Sequence, residues 1–274
     1  MRKRTAGAWK AFLAAAGFLA WPPGLWAEVQ PISKEFPADK IGLIEVQTEL
    51  GPVRIAGTDS KTVQVDVLDA DPVKCRVTME LRKRTLLLKA ERPKKWLFDS
   101  TQCPSGFRVR TPKTLPLDVA SGVGSVEIVQ TSAKTSIKTG SGNVKLVNVS
   151  GNLNARLGNG SIEGEATSRV LDVAIGNGRI RLKGLGASVA AQAGNGEIRL
   201  EWSKPAKRGR CDVKTGSGEI ALVFPEGSKL SVKALTAAGK TVNDFQDAKR
   251  RAFKVSAESG SGDISVRKPA PAQK

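Results

Sequence analysis

The sequence predicts an all-β protein, a β-solenoid (β-helix-like) built from coils of about 18 residues. Two observations predict it. Gly-x-Gly recurs with its first glycine at 122, 140, 158, 176, 194, 216 and 260, and the first four intervals are each 18 residues. Self-similarity at a fixed short period marks a repeat architecture. Apolar residues then follow four and six positions after the first glycine, as in Val126 and Ile128, Ile180 and Leu182, or Ile264 and Val266. Such period-two alternation belongs to a strand with one buried face. An antiparallel β-sandwich is the alternative, since strands about nine residues apart fit it too. The constant period favours the solenoid.

Residues 1–27 read as a signal peptide. Arg2, Lys3 and Arg4 precede an apolar run over Ala11–Trp21, Pro22-Pro-Gly breaks it, and Leu25-Trp-Ala offers a small residue at a cleavage point. The expectation is export, to the periplasm, the cell surface or the medium. Residues 28–267 are read as one solenoid domain, and 268–274, with Pro269 and Pro271, as a disordered tail.

The domain begins loosely. Leu43–Thr48, Val53–Ile55 and Val63–Leu68 alternate like strands. Cys75–Leu81 and Thr85–Lys89 read as a hairpin turning at Arg82-Lys-Arg. A basic insertion spans about 74–113, where twelve Lys or Arg face only Glu80, Glu91 and Asp99. It includes Lys94-Lys-Trp96 and Phe98.

The regular coils follow. Each has a strand before the glycine pair, with inward Leu153 and Ala155, Leu171 and Val173, or Val189 and Ala191, and a strand after it. The corner glycines are Gly122 and Gly124, Gly140 and Gly142, Gly158 and Gly160, Gly176 and Gly178, Gly194 and Gly196, Gly216 and Gly218, and Gly260 and Gly262. They are expected to supply positive φ, with Asn159, Asn177 and Asn195 tolerating similar geometry. The four extra residues of the 22-residue interval fall in Ser203–Gly209, as a loop insertion should. Allowing for them, Cys211 sits at an inward position and reads as a buried apolar residue. If coils stack in register, Ser161, Glu163 and Glu165 lie beside Arg179, Arg181 and Lys183, and those beside Glu197, Arg199 and Glu201. Opposite charges would then neutralise one another across the rungs.

Composition narrows the chemistry. The chain contains no His, which removes Ser-His-Asp and Cys-His catalysis. Of three cysteines, Cys75 and Cys103 are the expected disulfide in an oxidising compartment. Three scattered cysteines lack the close spacing of a zinc site. The Gly-x-Gly is followed by a strand and lacks the third glycine of a dinucleotide loop. A calcium ladder would be interrupted by Arg179. No cofactor is expected. The net charge is +18, or +14 without the four basic residues of the signal segment, which favours anionic partners.

Three stretches carry a resemblance: Thr48-Glu-Leu-Gly-Pro-Val-Arg-Ile-Ala-Gly, then Leu117-Asp-Val-Ala-Ser-Gly-Val-Gly-Ser-Val-Glu-Ile after Phe107-Arg-Val-Arg-Thr-Pro, and Ser259-Gly-Ser-Gly-Asp-Ile-Ser-Val. They resemble the opening, entry and closing units of the bacterial adhesin-type β-strand-repeat family, domain of unknown function 4097. The resemblance covers most of the chain after the signal segment. It implies an exported or envelope-facing solenoid with no established chemistry, and fold does not fix function. The basic insertion is not part of that pattern.

The reading is therefore a non-catalytic envelope or surface protein. Arg82, Lys83, Arg84, Lys94, Lys95 and Trp96 are the candidate contact for an anionic membrane surface, an acidic glycan or an envelope protein. Without an outward aromatic row, nucleic acid is disfavoured. The alternative is a polysaccharide-cleaving enzyme on a β-helix, using outer carboxylates such as Glu163 and Glu165.

Overall fold

The structure is a computed structural model that describes residues 32–93, 102–186, 188–206, 208–248 and 252–269. Residues 1–27, for which a signal peptide is expected, lie outside the described residues, as do Lys94, Lys95 and Trp96. Seven strands precede the regular repeat: β1 (Ser33–Pro37), β2 (Leu43–Thr48), β3 (Val53–Thr58), β4 (Thr62–Leu68), β5 (Arg76–Arg82), β6 (Thr85–Glu91) and β7 (Gly106–Pro112). The repeat supplies β8 (Leu117–Val123), β9 (Val126–Val129), β10 (Thr135–Val149), β11 (Leu153–Ala166), β12 (Val170–Leu185), β13 (Ser188–Asn195), β14 (Ile198–Trp202), β15 (Arg210–Ser217) and β16 (Ile220–Val223). β17 (Leu230–Ala238), β18 (Thr241–Asn243), β19 (Phe253–Ser261) and β20 (Ile264–Arg267) complete it.

The repeating coils stack in parallel and in register. Ile137 pairs with Ala155, Ala155 with Val173, Val173 with Ala191, and Ala191 with Val213. On the second face Ile128 pairs with Leu146, and the column resumes as Leu182, Leu200, Leu222 and Val266. All these side chains are buried, so the apolar columns of both faces form one core. Parallel pairing one coil apart rules out the antiparallel sandwich. Antiparallel pairing is confined to the beginning, where β5 and β6 form the hairpin and β4 lies between β1 and β7.

The corner explains the glycines, and differently for each member of the pair. The second glycine of every pair has the expected positive φ, from 131° at Gly262 to 152° at Gly124, with 145° at Gly142 and 143° at Gly218. The expectation fails for the first members, Gly122, Gly140, Gly158, Gly176, Gly194, Gly216 and Gly260, none of which has positive φ. They are glycine for want of room: a Cβ on Gly176 would lie 2.5 Å from the carbonyl oxygen of Gly158, one coil away. The asparagines between them do not share the positive φ expected of them either. They form a ladder instead, Asn195 Nδ2 donating to Asn177 Oδ1 at 2.9 Å and Asn177 Nδ2 to Asn159 Oδ1 at 3.0 Å.

At both ends the spatial order departs from chain order. β2 lies between β6 and β8, and β3 between β7 and β9. Likewise β19 lies between β15 and β17, and β20 between β16 and β18. The 44-residue interval thus contains a further coil, β17–β18, placed outside the last one in the sequence. Where the longer coils leave space at the turn, aromatic rings fill it. Trp202 stacks on Phe224 with centroids 4.1 Å apart, and Phe253 meets both edge-on.

Two outcomes follow. Gly178→Ala places a Cβ 1.8 Å from the Gly160 oxygen at φ 134°, and is expected to cost about 3 kcal/mol or more in urea denaturation; Asn177→Ala should cost only about 1 kcal/mol, the scale of a lost exposed hydrogen bond. Burial, assisted by Asp212, pushes the Cys211 thiol well above its ordinary 9.0. Above pH 9 the unfolded chain therefore loses a proton that the folded chain keeps, and stability falls as pH rises. The wild-type stability curve should decline about 1.4 kcal/mol per pH unit more steeply than that of Cys211→Ala above this pH.

Candidate functional site

The described part of the basic insertion folds as a hairpin stapled to the solenoid. Cys75 and Cys103 are joined by a disulfide, with Cα atoms 5.0 Å apart. Lys83 turns the hairpin with a φ of 55°. Arg82 is paired with Glu80 at 2.8 Å. The Arg84 carbonyl accepts the Gly42 amide at 2.7 Å, which ties the hairpin end to the start of β2. Of these three cations, Lys83 and Arg84 are exposed without an acidic partner among the described residues.

A larger concave feature runs along the corners. Since the first glycine of each pair carries no side chain, stacking the coils leaves a groove beside that column. One stretch, of about 790 Å3, extends from Glu49 and Glu91 to Ile175 and Gly176. A second, of about 910 Å3, continues from Ile175 and Gly176 to Leu235. Because the two share residues 174–176, they are one groove crossing ten strands, β6-β2-β8-β10-β11-β12-β13-β15-β19-β17. At about 4.8 Å per strand it is roughly 43 Å long.

The corner glycines divide again at this groove. The first members, from Gly122 to Gly260, all line it. The second members, Gly124, Gly142, Gly160, Gly178, Gly196, Gly218 and Gly262, do not. Their part is the turn itself, where positive φ swings the chain onto the second face. They too are packed too closely for a side chain: a Cβ on Gly142 would lie 1.9 Å from the Gly124 oxygen, and one on Gly218 2.0 Å from the Gly196 oxygen.

The residue just before each first glycine forms the floor, with its side chain largely buried. These are hydroxyls toward the ends (Ser121, Thr139, Thr215, Ser259) and apolar in the middle (Leu157, Ile175, Ala193). Thr215 donates to the Gly196 carbonyl, but the buried Thr139 Oγ1 has no partner. Lys138, Arg156 and Lys214 stand on the wall. Arg156 is held by Asp172 at 2.5 Å and Lys214 by Glu258 at 2.8 Å, an attachment that lowers the Glu258 carboxyl below its ordinary value. Lys138 has no acidic partner among the described residues.

The opposite face carries the charge ladder. Glu163 lies beside Arg181 and Glu165 beside Lys183, in the expected register. The next step keeps the expected register too, and there Arg181 stands beside Arg199, so that this rung pairs like charges. Neutralisation is diagonal, Arg181 reaching Glu197 at 2.7 Å, or within a strand, Arg199 reaching Glu201 at 2.7 Å. The carboxylates proposed for catalysis sit within this ionic surface. No cluster of acids and cysteines able to hold a metal occurs among the described residues. Sequence reading missed the groove, whose signal is the column of small or hydroxyl residues before each first glycine, and the aromatic cluster, whose members are far apart in the chain.

A family model described as Toastrack DUF4097 matches residues 41–269. Among solved structures, an adhesin candidate from Bacteroides fragilis is 19% identical, with TM-score 0.56, covering 87% of this chain and 98% of its own. A candidate cell-adhesion protein from Clostridium sporogenes is 12% identical, with TM-score 0.28, covering 88% of this chain and 100% of its own. No curated protein matches.

The Cys75–Cys103 bridge closes a sequence separation of 28 residues. Reducing it should lower the unfolding free energy by about 3–4 kcal/mol on the chain-entropy scale. Denaturation of Cys75→Ser/Cys103→Ser against the oxidised wild type measures this; equal midpoints would show that the hairpin is held by its strand pairing alone.

Proposed function

Given that the chain belongs to the Toastrack DUF4097 family, we propose that it is a non-catalytic, exported envelope protein that binds an extended acidic glycan along its corner groove. The groove itself carries this reading. It is linear and long, with a floor of glycines, hydroxyls and small apolar groups, and the wall cation Lys138 has no acidic partner among the described residues. The adhesin-type description of the Bacteroides fragilis structure agrees with a binding role. A catalytic reading has less support: the outer carboxylates have cations beside them in the charge ladder, and no histidine is present to assist them. No helix among the described residues is long and apolar enough to cross a membrane.

The test fills the groove without touching the core. Ala174 and Gln192 point outward on its wall. Gln192→Trp with Ala174→Trp should reduce retention of the full chain on immobilised polygalacturonate at least ten-fold, with the melting temperature unchanged. Equal retention of variant and wild type would overturn the groove as the binding site.

A further inference from the structure

The charge ladder of the second face has two like-charged rungs, and one of them is not neutralised. Along the row that includes Glu127, Lys145, Glu163 and Arg181, signs alternate between neighbouring strands. Toward the beginning of the chain the row continues to Arg54, beside Glu127, and then to Arg108, beside Arg54. Two arginines thus face each other across adjacent strands, and like charges so placed are destabilising. Arg110 is two residues further along the same strand, on the same face.

The other like-charged rung, Arg181 and Arg199, is neutralised by Glu197 and Glu201. This one is not. Glu127 is taken by Lys145 at 3.1 Å. Asp66, beside Arg108, accepts a hydrogen bond from Ser33 at 2.8 Å and stands 3.9 Å from Arg110. Arg54 and Arg108 have no acidic partner within ion-pair distance among the described residues.

We infer that Arg54, Arg108 and Arg110 form a binding site for a phosphate monoester. The charge balance selects the ligand. With Glu127 taken by Lys145, three guanidiniums face the single carboxylate of Asp66, an excess of two positive charges, and a phosphate monoester carries about −1.5 to −2 near neutral pH. A single carboxylate would leave the site positive. Guanidinium forks match phosphate oxygens in bidentate fashion. The strand spacing of about 4.8 Å and the two-residue step of about 6.6 Å hold the three forks around one tetrahedral group. The flanking acids Asp66 and Glu127 disfavour a broad anionic sheet and admit a discrete group. This site lies on the face opposite the groove and is independent of the glycan reading.

Calorimetric titration of the full chain with inorganic phosphate, at low ionic strength and pH 7.5, tests the inference. Wild type is expected to bind, and Arg54→Gln/Arg108→Gln to lose at least ten-fold in affinity, while Arg199→Gln binds as wild type. In phosphate-free buffer Arg54→Gln/Arg108→Gln should melt at or above the wild-type temperature, because a repulsion has been removed. Two further arms separate the sources: a soluble sugar phosphate, and vesicles containing phosphatidate. Binding of either that is lost in the double variant supports the site and names its source. Unchanged phosphate affinity in the double variant, acetate binding as tightly as phosphate, or no binding in any arm would overturn it. Gln192→Trp with Ala174→Trp should leave phosphate binding intact, so the two proposals fail separately.

Discussion

The closeness of stacked corners is the constraint from which the remaining structure follows. At each turn the carbonyl oxygen of one coil occupies the place where a Cβ of the next would sit, 1.8 Å away at Gly178 and 2.5 Å at Gly176. Within the Gly-x-Gly repeat a coil sits one strand spacing above its neighbour because both glycines are present. Once they are, the register has no freedom. A one-residue slip would put a side chain into a carbonyl and turn the apolar columns toward water. The buried columns, the asparagine ladder and the outer charge rows are consequences of that single registration.

Most of the regular coils was legible because each depends on local spacing. The 18-residue period, the inward residues from Leu153 to Val213, the hairpin turning at Arg82–Arg84 and the burial of Cys211 are all readable from alternation and counting. The corner glycines were legible as a pair but not by role. Positive φ is a property of one residue and explains Gly142 or Gly218, whereas the first glycine answers to a carbonyl 18 or more residues away. The charges were legible by rung and not by partner. Side chains as long as Arg181 reach diagonally, so the acid they meet is set by rotamer as well as register. The role of Asn159, Asn177 and Asn195 was misjudged for a related reason. Asparagine tolerates positive φ, but a stack of identical amides satisfies its own donors and acceptors.

What lay beyond reading was whatever joins distant parts of the chain. Arg54 and Arg108 are neighbours only because β7 returns to the outer side of β3. Trp202 and Phe224 stack because β14 and β16 lie in register one coil apart, but Phe253 joins them only because β19–β20 inserts inside β17–β18. The groove is hidden in another way, since it is made by side chains that glycine lacks. It follows from the same residues that permit stacking, so the feature that closes the coils together also leaves the surface open beside them.

The inverted order of the end coils bears on how such a protein can grow. Each outermost coil is an excursion from a coil further in, and β2, β3, β19 and β20 are held between neighbours on both sides, while β1 is an edge strand paired with β4 alone. A duplicated segment appended after β20 would follow a strand already paired on both sides. An 18-residue duplication within Leu117–Ser217 would instead find the same corner and the same columns above and below it. Length in this lineage is thus expected to vary by whole coils in the centre, with the two ends inherited as fixed pieces.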